Sequence, residues 1–324
     1  MLLYNYVSVL TKMISTIICV PICGFANRLK FLASVDGIAK KLKCKDVKVL
    51  WNKTMDCNIS HVDIFDKIGN LEFISENDLP SKDQMLYYGY IHMDSIQLKL
   101  KEEKTDKNIL LMEGGHESKH MDVSLVDFIK TKTKFYNSIV WSKQLSTQLD
   151  NFGEIPTVGI HYRHVNKTYD SADVKANPLI NFSINSPFLE FEEFIKKNKH
   201  KMFFISNSLY HKKYIKEKYS KKVITINDNE ENERNSTESM LNSVFEFILL
   251  TKCDFIVGSY FSSFSDEASY FNMIPKLMPL LPKIVGNEAD IQIFKRQYHS
   301  VNKPCLFDKY LVLNPDMKKL INTI

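Results

Sequence analysis

Several features that define large protein classes are missing from this chain. Its 324 residues contain only six cysteines, with no Cys-x-x-Cys pair. The cysteine spacing therefore supports neither a cysteine-ligated zinc site nor a disulfide framework. The net charge of +5 comes from scattered lysines without a sustained basic block. That distribution argues against a nucleic-acid partner, for which a concentrated basic face is expected, and mildly favours a small anionic ligand.

The phosphate-binding and hydrolase signatures are missing as well. The sequence has no GxGxxG, no GxxxxGK[ST] and no Gly-x-Ser-x-Gly elbow. A standard dinucleotide enzyme, a P-loop NTPase and an α/β-hydrolase are therefore not indicated. What remains is an ordinary globular composition, with 44% hydrophobic and 12% aromatic residues, and a length that favours two domains.

The apolar N-terminus predicts neither a secretory signal nor a stable membrane span. Lys12 interrupts it, and no small-residue cleavage site follows. We interpret residues 1–12 as an extension upstream of a start at Met13. Cys19 and Cys253 fall within predicted buried strands, which favours reduced thiols and a cytoplasmic location.

The first half of the chain predicts a Rossmann-like domain over residues 1–150. It opens with a β-branched strand at 14–21, a glycine turn at Gly24, and a helix with Asn27 at its start. The alternative for these two residues is a packing glycine and a helix cap. The remaining predicted elements are strands at 47–51, 71–74 and 109–112, a long polar loop at 76–107 and a helix at 138–149.

The second half alternates strands and helices more regularly, which predicts a parallel sheet in a domain over 151–290. A tail at 291–324, with helices at 290–298 and 317–324, is expected to pack back across both domains. The predicted strands are 158–161, 202–205, 223–226 and 254–258, and the predicted helices are 187–197, 209–219 and 238–252.

Residues 156–167 carry the most informative pattern, because an apolar strand there ends in His161 and Arg163. An open α/β sheet binds ligands at the carboxyl ends of its strands. Arginine suits a phosphate there, since its planar fork donates two parallel hydrogen bonds and keeps its charge. The alternative is an ion pair with a surface carboxylate. His164 is a candidate proton shuttle or an ordinary exposed histidine, and Asp170 and Asp173 are the nearest candidate bases.

Two further segments contain candidate binding residues. Glu246 lies in the apolar run at 244–250, where a carboxylate needs a partner. A guanine edge would satisfy it by donating from N1 and N2, and an internal ion pair is the alternative. The serine-rich turn at 258–268, with Ser262, Ser263 and Ser265, offers donors for a diphosphate. Its alternative is plain capping, with Ser263 and Asp266 spaced as a capping box.

Three motifs in this order resemble the fucosyltransferase superfamily of α1,6- and α1,2-fucosyltransferases, nodulation fucosyltransferases and protein O-fucosyltransferases. Residues 24–30 are similar to its N-terminal glycine-asparagine turn and helix. Residues 160–167 resemble its HxRxxDK segment, and residues 245–265 resemble its acidic helix, strand and serine loop. The resemblance spans residues 14–272.

The resemblance implies a GT-B fold, with two Rossmann-like domains and their parallel sheets facing a cleft. It implies transfer of fucose from GDP-fucose to a glycan or protein acceptor, with inversion and without a metal or other cofactor. Arg163 would hold the β-phosphate and stabilise the leaving GDP. The other implied site residues are His164 and Asn27 as catalytic groups, and Gly24, His161, Lys167, Arg234, Glu246, Ser262, Ser263 and Ser265 as binding groups.

The sequence also departs from the family pattern. His164 stands where one subgroup has a second arginine, Asn166 stands where aspartate is usual, and Asn207 and Ser208 replace an acidic pair. Glu246 replaces the commoner aspartate. The alternatives are therefore a non-catalytic nucleotide- or glycan-binding protein of this fold, or a glycosyltransferase that uses another nucleotide-sugar. An unrelated Rossmann-type enzyme is a third hypothesis, which the missing signatures disfavour.

Overall fold

A computed structural model describes residues 14–88, 107–115, 125–164, 186–228, 236–259, 262–274 and 276–277. The chain divides into two compact units. The first comprises mainly the residues up to Ser146, and the second mainly those from Thr147 onward. A segment that ends at Leu241 is assigned to the first unit.

The first unit is built on a five-stranded parallel sheet in the order β4-β2-β1-β6-β5, beside an antiparallel pair of β3 and β7. Its strands are β1 Thr16–Pro21, β2 Asp46–Leu50, β3 Phe65–Ile68, β4 Glu72–Ile74, β5 Met85–Tyr88, β6 Ile109–Gly114 and β7 Ile139–Trp141. The helices are α1 Phe25–Leu42, α2 His61–Ile64, α3 Leu125–Tyr136 and α4 Lys143–Asn151, the last of which extends beyond Ser146.

Strand β1 lies at the centre of this first sheet because its apolar, β-branched sequence suits burial on both faces. Ile17, Ile18 and Cys19 are all buried. The chain continues from β1 to β2 and β4 on one side, while β6 and β5 lie on the other. The strand order therefore changes direction between β1 and β6, which is where open α/β sheets form a ligand crevice.

The second unit has its own five-stranded parallel sheet, in the order β10-β9-β8-β11-β12. Its strands are β8 Val158–Tyr162, β9 Met202–Ser206, β10 Val223–Ile224, β11 Phe255–Gly258 and β12 Lys276–Leu277. The helices are α5 Phe188–Lys197, α6 Leu209–Lys218, α7 Thr237–Leu250 and α8 Ser263–Phe271, although the residues of α7 up to Leu241 are assigned to the first unit.

Strand β8 is the centre of the second sheet, and all five of its residues are buried. Val158, Ile160 and Tyr162 share one apolar cluster with Phe191 of α5 and other core residues. Successive side chains alternate between the two faces of a strand. Gly159 therefore belongs to the opposite face, where a Cβ atom would lie 2.4 Å from Leu250 Cδ1 at the end of α7.

The structure confirms the predicted α/β class with two Rossmann-like units and parallel sheets. The predicted loop at 76–107 is wrong in part, because it contains strand β5, which extends the first sheet along β6. The predicted helix at 138–149 is also wrong in its first turn. Residues Ile139–Trp141 form β7, since this β-branched and aromatic run pairs with β3, and the helix begins at Lys143.

Three further sequence predictions concern the C-terminal tail, the last strand and a membrane span. The predicted tail helices lie outside the described residues, and β12 was missed because only Lys276–Leu277 form it. Within the part of the chain that the structure describes, no helix combines the length and apolarity needed to cross a membrane.

The packing at Gly159 leads to a stability prediction. We expect Gly159→Ala to lower the free energy of unfolding by about 1 to 3 kcal/mol, because the added methyl group overpacks a filled interior. Gly24→Ala is the matched control, since the nearest atom to its Cβ lies 3.8 Å away. Urea unfolding of both variants measures the difference, and equal stabilities would contradict the close packing of α7 on β8.

Candidate functional site

The second sheet changes direction at β8. From β8 the chain proceeds to β9 and β10 on one side, and β11 and β12 lie on the other. The carboxyl ends of β8 and β11 are therefore neighbours at a switch point, the usual ligand position in such sheets. Arg163 follows β8, and the serine-rich turn follows β11, so the fold brings together two of the segments that the sequence singled out.

Hydrogen bonds from both neighbouring strands fix the backbone around Arg163. Its N–H donates to Ser259 Oγ at 2.8 Å, and the Ser259 N–H donates to the carbonyl of His161 at 3.0 Å. On the other side, the His164 N–H donates to Asn207 Oδ1 at 2.8 Å. Asn207 Nδ2 donates to the His164 carbonyl at 2.9 Å. Arg163 itself is half-buried at this edge.

His161 is buried as a neutral ring behind Arg163. It is 5% exposed and stacks on Phe264 of α8, with ring centroids 4.8 Å apart. Burial, and then the positive charges of Lys276 and Arg163, lower the pKa of His161 to about 3. Its Nδ1 atom has no hydrogen-bond partner among the described residues. The predicted contact of this ring with guanine stays a prediction.

Glu246 has an internal partner that the sequence did not identify. Its Oε1 accepts a hydrogen bond from Lys212 Nζ at 2.5 Å, and the two side chains are 2% and 1% exposed. The same ammonium donates to the carbonyls of Ile226 and Asn227 at 3.2 and 3.3 Å. The structure therefore contains the ion pair that was the alternative to a guanine contact, and the guanine role remains a prediction.

Nothing in the sequence distinguished Lys212 from the other lysines of α6. Lys213, Lys216 and Lys218 lie on the same helix. Only the position of Lys212 beside α7 and the loop after β10 buries it. Its charge also contributes to the lowered pKa of His161, after burial and the charges of Lys276 and Arg163.

The serine-rich turn begins helix α8, with Ser262 as the N-cap residue and no hydrogen bond from its side chain to the helix. The Ser265 hydroxyl is buried and donates to the Ser262 carbonyl at 3.4 Å, while Ser263 is half-buried. The predicted capping box of Ser263 and Asp266 is wrong. The helix starts one residue earlier than that box requires, and Asp266 pairs with Lys276 instead.

Lys276 neutralises the first turn of α8. This buried lysine of β12 donates to Asp266 Oδ1 at 2.5 Å and to the Ser259 carbonyl at 3.3 Å. By itself, the carboxylate of Asp266 would repel an anion at the helix start. Because Lys276 compensates that charge, the repulsion is reduced.

A second histidine lies beside His164. The rings of His164 and His211 are 5.1 Å apart, and His211 Nδ1 contacts Ser208 Oγ at 2.7 Å. Partial burial and then the charge of His164 lower the pKa of His211 to about 4. His164 Nδ1 lies 3.5 Å from Tyr162 Oη. The predicted proton-shuttle role of His164 stays a prediction.

In the first unit, Gly24 and Asn27 follow β1 at the switch point of that sheet. Gly24 is the N-cap of α1 with φ −69°, which any residue adopts, so the turn does not require glycine there. The left-handed residue of the turn is Cys23, with φ 66°. Asn27 is the third residue of α1, so the alternative that it caps the helix is wrong.

Arg28 fixes the turn before α1 from within the core. Its Nε donates to the Cys23 carbonyl at 2.9 Å, and its Nη1 donates to the Asn52 carbonyl at 2.7 Å. Its Nη2 donates to Thr54 Oγ1 at 2.9 Å, and the guanidinium lies 4.7 Å from the centre of the Trp51 ring. This buried arginine therefore holds the turn at Cys23 and the loop after β2 in one arrangement.

Some predicted site residues lie outside the described residues. These are Lys167, Arg234, Asn166, Asp170 and Asp173. Among the residues that the structure describes, no group of three histidine, cysteine, aspartate or glutamate side chains is arranged to hold a metal ion.

Comparison with solved structures relates this fold to fucosyltransferases. NodZ α1,6-fucosyltransferase co-crystallized with GDP superimposes with a TM-score of 0.53 and 14% identity, over 81% of this chain and 93% of that chain. POFUT1 in complex with GDP gives a TM-score of 0.52 and 12% identity, over 82% and 98%. NodZ from Bradyrhizobium gives 0.51 and 14%, over 81% and 94%.

These likenesses confirm, at the level of the fold, the resemblance predicted from the three motifs. No protein-family model and no curated protein sequence matches the chain. The identities of 12% and 14% lie far below those at which a substrate or mechanism carries over. The fold is therefore that of GT-B fucosyltransferases, and the activity is a separate question.

The lowered pKa of His161 predicts a pH-dependent stability. In an unfolded chain the pKa of histidine is about 6.5. The unfolded state therefore binds more protons as the pH falls below that value, and the folded state loses stability. We expect His161→Gln to remove up to about 1.4 kcal/mol of this loss per pH unit below pH 6.5.

Urea unfolding of wild type and His161→Gln between about pH 7 and pH 5 measures this difference. His211 titrates in both proteins, so its contribution cancels in the comparison. Equal pH slopes for the two proteins would show that His161 is not held neutral by burial.

The pair of Lys212 and Glu246 predicts strong energetic coupling. We expect Glu246→Gln and Lys212→Met each to destabilise the fold by about 3 kcal/mol, because either change leaves a buried partner uncompensated. The double variant should cost less than the sum by about 1 to 3 kcal/mol. The same substitutions in the exposed pair Lys201 and Glu154, 3.7 Å apart, serve as control and should show little coupling. Additive effects at Lys212 and Glu246 would contradict the pair.

Proposed function

We propose that the chain is an inverting, metal-independent glycosyltransferase that transfers fucose from GDP-fucose to a glycan or protein acceptor. The observation that carries this proposal is the position of Arg163 at the carboxyl end of the central strand β8, beside the serine-rich turn after β11, on a fucosyltransferase fold. The neighbours in that fold include NodZ and POFUT1 structures with GDP and with GDP-fucose.

Arg163 is the group proposed to act on the donor. When the bond from the sugar to the β-phosphate breaks, negative charge grows on the departing diphosphate. A guanidinium at that position binds two phosphate oxygens in parallel and stays charged throughout the reaction. Ser263 at the start of α8 adds a hydroxyl on the same side, and Lys276 reduces the opposing charge of Asp266.

Glu246 is proposed to favour guanine through its carboxylate, which accepts from the N1 and N2 donors of that base. Its pairing with Lys212 fixes its Oε1 atom. After burial and the charge of Lys276, the charges of Arg163 and Lys212 also lower the pKa of His161. We propose that the three segments bind one nucleotide in the second unit.

The alternative is a non-catalytic nucleotide- or glycan-binding protein of this fold. One observation favours it: Asn207, at the place of a family carboxylate, has its amide engaged with the backbone of His164. A glycosyltransferase using another nucleotide-sugar is a further alternative. We also propose a cytoplasmic location, which the buried thiols of Cys19 and Cys253 support.

Calorimetric titration with GDP, UDP and CDP tests the donor assignment. We expect wild type to prefer GDP, and Arg163→Ala to weaken GDP binding by about 30- to 100-fold, because it loses a charge-assisted, two-bond contact. Arg163→Lys should fall in between. Lys201→Ala, which removes an exposed surface charge of the same unit, should bind GDP like wild type.

Release of GDP from GDP-fucose separates catalysis from binding. An enzyme should release GDP in a reaction that Arg163→Ala abolishes. Binding of GDP without release, with any acceptor offered, would favour the non-catalytic alternative. Equal affinity for the three nucleotides would overturn the assignment of Glu246 to guanine.

A further inference from the structure

We propose that Asn207 and Ser259 are positioning residues for Arg163. The side-chain amide of Asn207 makes the backbone hydrogen bonds that a further residue of strand β9 would make with its peptide groups. This inference rests on the proposed function, since it assigns Arg163 to a phosphate. It adds two residues that bind the backbone at Arg163 and His164 and so fix the position of the Arg163 Cα atom.

The regular ladder of β8 ends just before Arg163. On the side of β9 the last paired residues are Tyr162 and Ser206, and on the side of β11 they are His161 and Gly258. Beyond these points the backbone of β8 has no regular strand partner. A chain leaving a sheet at such a point is normally free to take several directions.

Asn207 continues the ladder on the side of β9. Its Oδ1 accepts from the His164 N–H at 2.8 Å, and its Nδ2 donates to the His164 carbonyl at 2.9 Å. One amide therefore satisfies both backbone groups of one residue, as a peptide group pair does in a sheet. A carboxylate at this position would accept the first bond but would lack the donor for the second.

Ser259 continues the ladder on the side of β11, because its Oγ accepts from the Arg163 N–H at 2.8 Å. Ser259 is itself held in place, since its N–H donates to the His161 carbonyl and its own carbonyl accepts from Lys276. The chain from His161 to His164 is thus bound alternately to the two neighbouring strand ends. This alternation is what a central parallel strand requires.

The consequence for function is geometric. The four side-chain torsions of arginine already allow its guanidinium many positions. A mobile Cα atom would add to that freedom, so a fixed Cα atom lowers the entropy lost when the guanidinium binds a diphosphate. Loss of either contact should let the end of β8 move while the core of the sheet stays folded. Asn207 should then affect phosphate binding only through Arg163.

A double-mutant cycle on GDP affinity tests this dependence. We expect Asn207→Ala to weaken GDP binding about tenfold in the wild-type background and less than about twofold in the Arg163→Ala background. Ser259→Ala is the second variant and should behave in the same way. Ser208→Ala is the control, because it removes a neighbouring hydroxyl that contacts His211 and not the end of β8.

Amide hydrogen exchange on the protein without nucleotide provides an independent measurement. Asn207→Ala should raise the exchange rate of the His164 amide about tenfold, and Ser259→Ala should do so for the Arg163 amide. Ser208→Ala should leave both unchanged.

The two measurements separate the possible failures. Unchanged exchange at His164 and Arg163, or a tenfold affinity loss that persists in the Arg163→Ala background, would overturn the positioning role. Faster exchange in the variants, combined with a wild-type protein that binds no GDP, would overturn the proposed function and would reduce the two residues to structural supports. A non-additive affinity loss together with faster exchange supports both.

Discussion

Pairing of β8 on both sides is the constraint on which the rest of the second unit depends. A central parallel strand leaves no freedom in the register of its neighbours, so Tyr162 faces Ser206 on one side and His161 faces Gly258 on the other. Everything that follows the two neighbouring strands must then converge on the end of β8. Arg163, Asn207 and Ser259 meet for that reason, although more than 90 residues separate Arg163 from Ser259 in the chain.

Two buried lysines extend this constraint outward from the sheet. Lys212 joins Glu246 of α7 to the loop after β10, and Lys276 joins Asp266 of α8 to Ser259 after β11. Buried ion pairs add little net stability, because desolvation offsets the attraction between the charges. Their effect here is to fix loops, because Lys212 also binds two backbone carbonyls and Lys276 binds one, and a hydrophobic replacement would leave these carbonyls without that donor. Burial lowers the pKa of His161 most, and the charge of Lys276 acts in the same direction.

The sequence predicted the parts of the fold whose signals are local. The β-branched run of β1 and the apolar run of α7 predicted buried elements, because a continuous apolar run indicates burial whichever neighbours the element packs against. The strand β5 and the antiparallel pair of β3 and β7 were missed, since short strands depend on which neighbour they meet. The motif with Arg163 was found for a similar reason, because a strand end followed by basic residues is visible in one segment.

The partners of the site residues could not be predicted in the same way. Lys212 is one of several lysines in α6, and only its burial beside Glu246 makes it different. Asn207 was noticed as a departure from a family pattern, but its contact with His164 depends on the register of β8 and β9. The turn before α1 shows the same limit: Gly24 was expected to permit a tight turn, but the left-handed residue there is Cys23, and Arg28 holds that turn from the core.

A crystal structure of the protein with GDP bound tests the proposed nucleotide site most directly. We expect the diphosphate beside the guanidinium of Arg163, at the carboxyl ends of β8 and β11, with the start of α8 on its other side. A nucleotide bound at a different edge of the sheet, or with its phosphates directed away from Arg163, would contradict it.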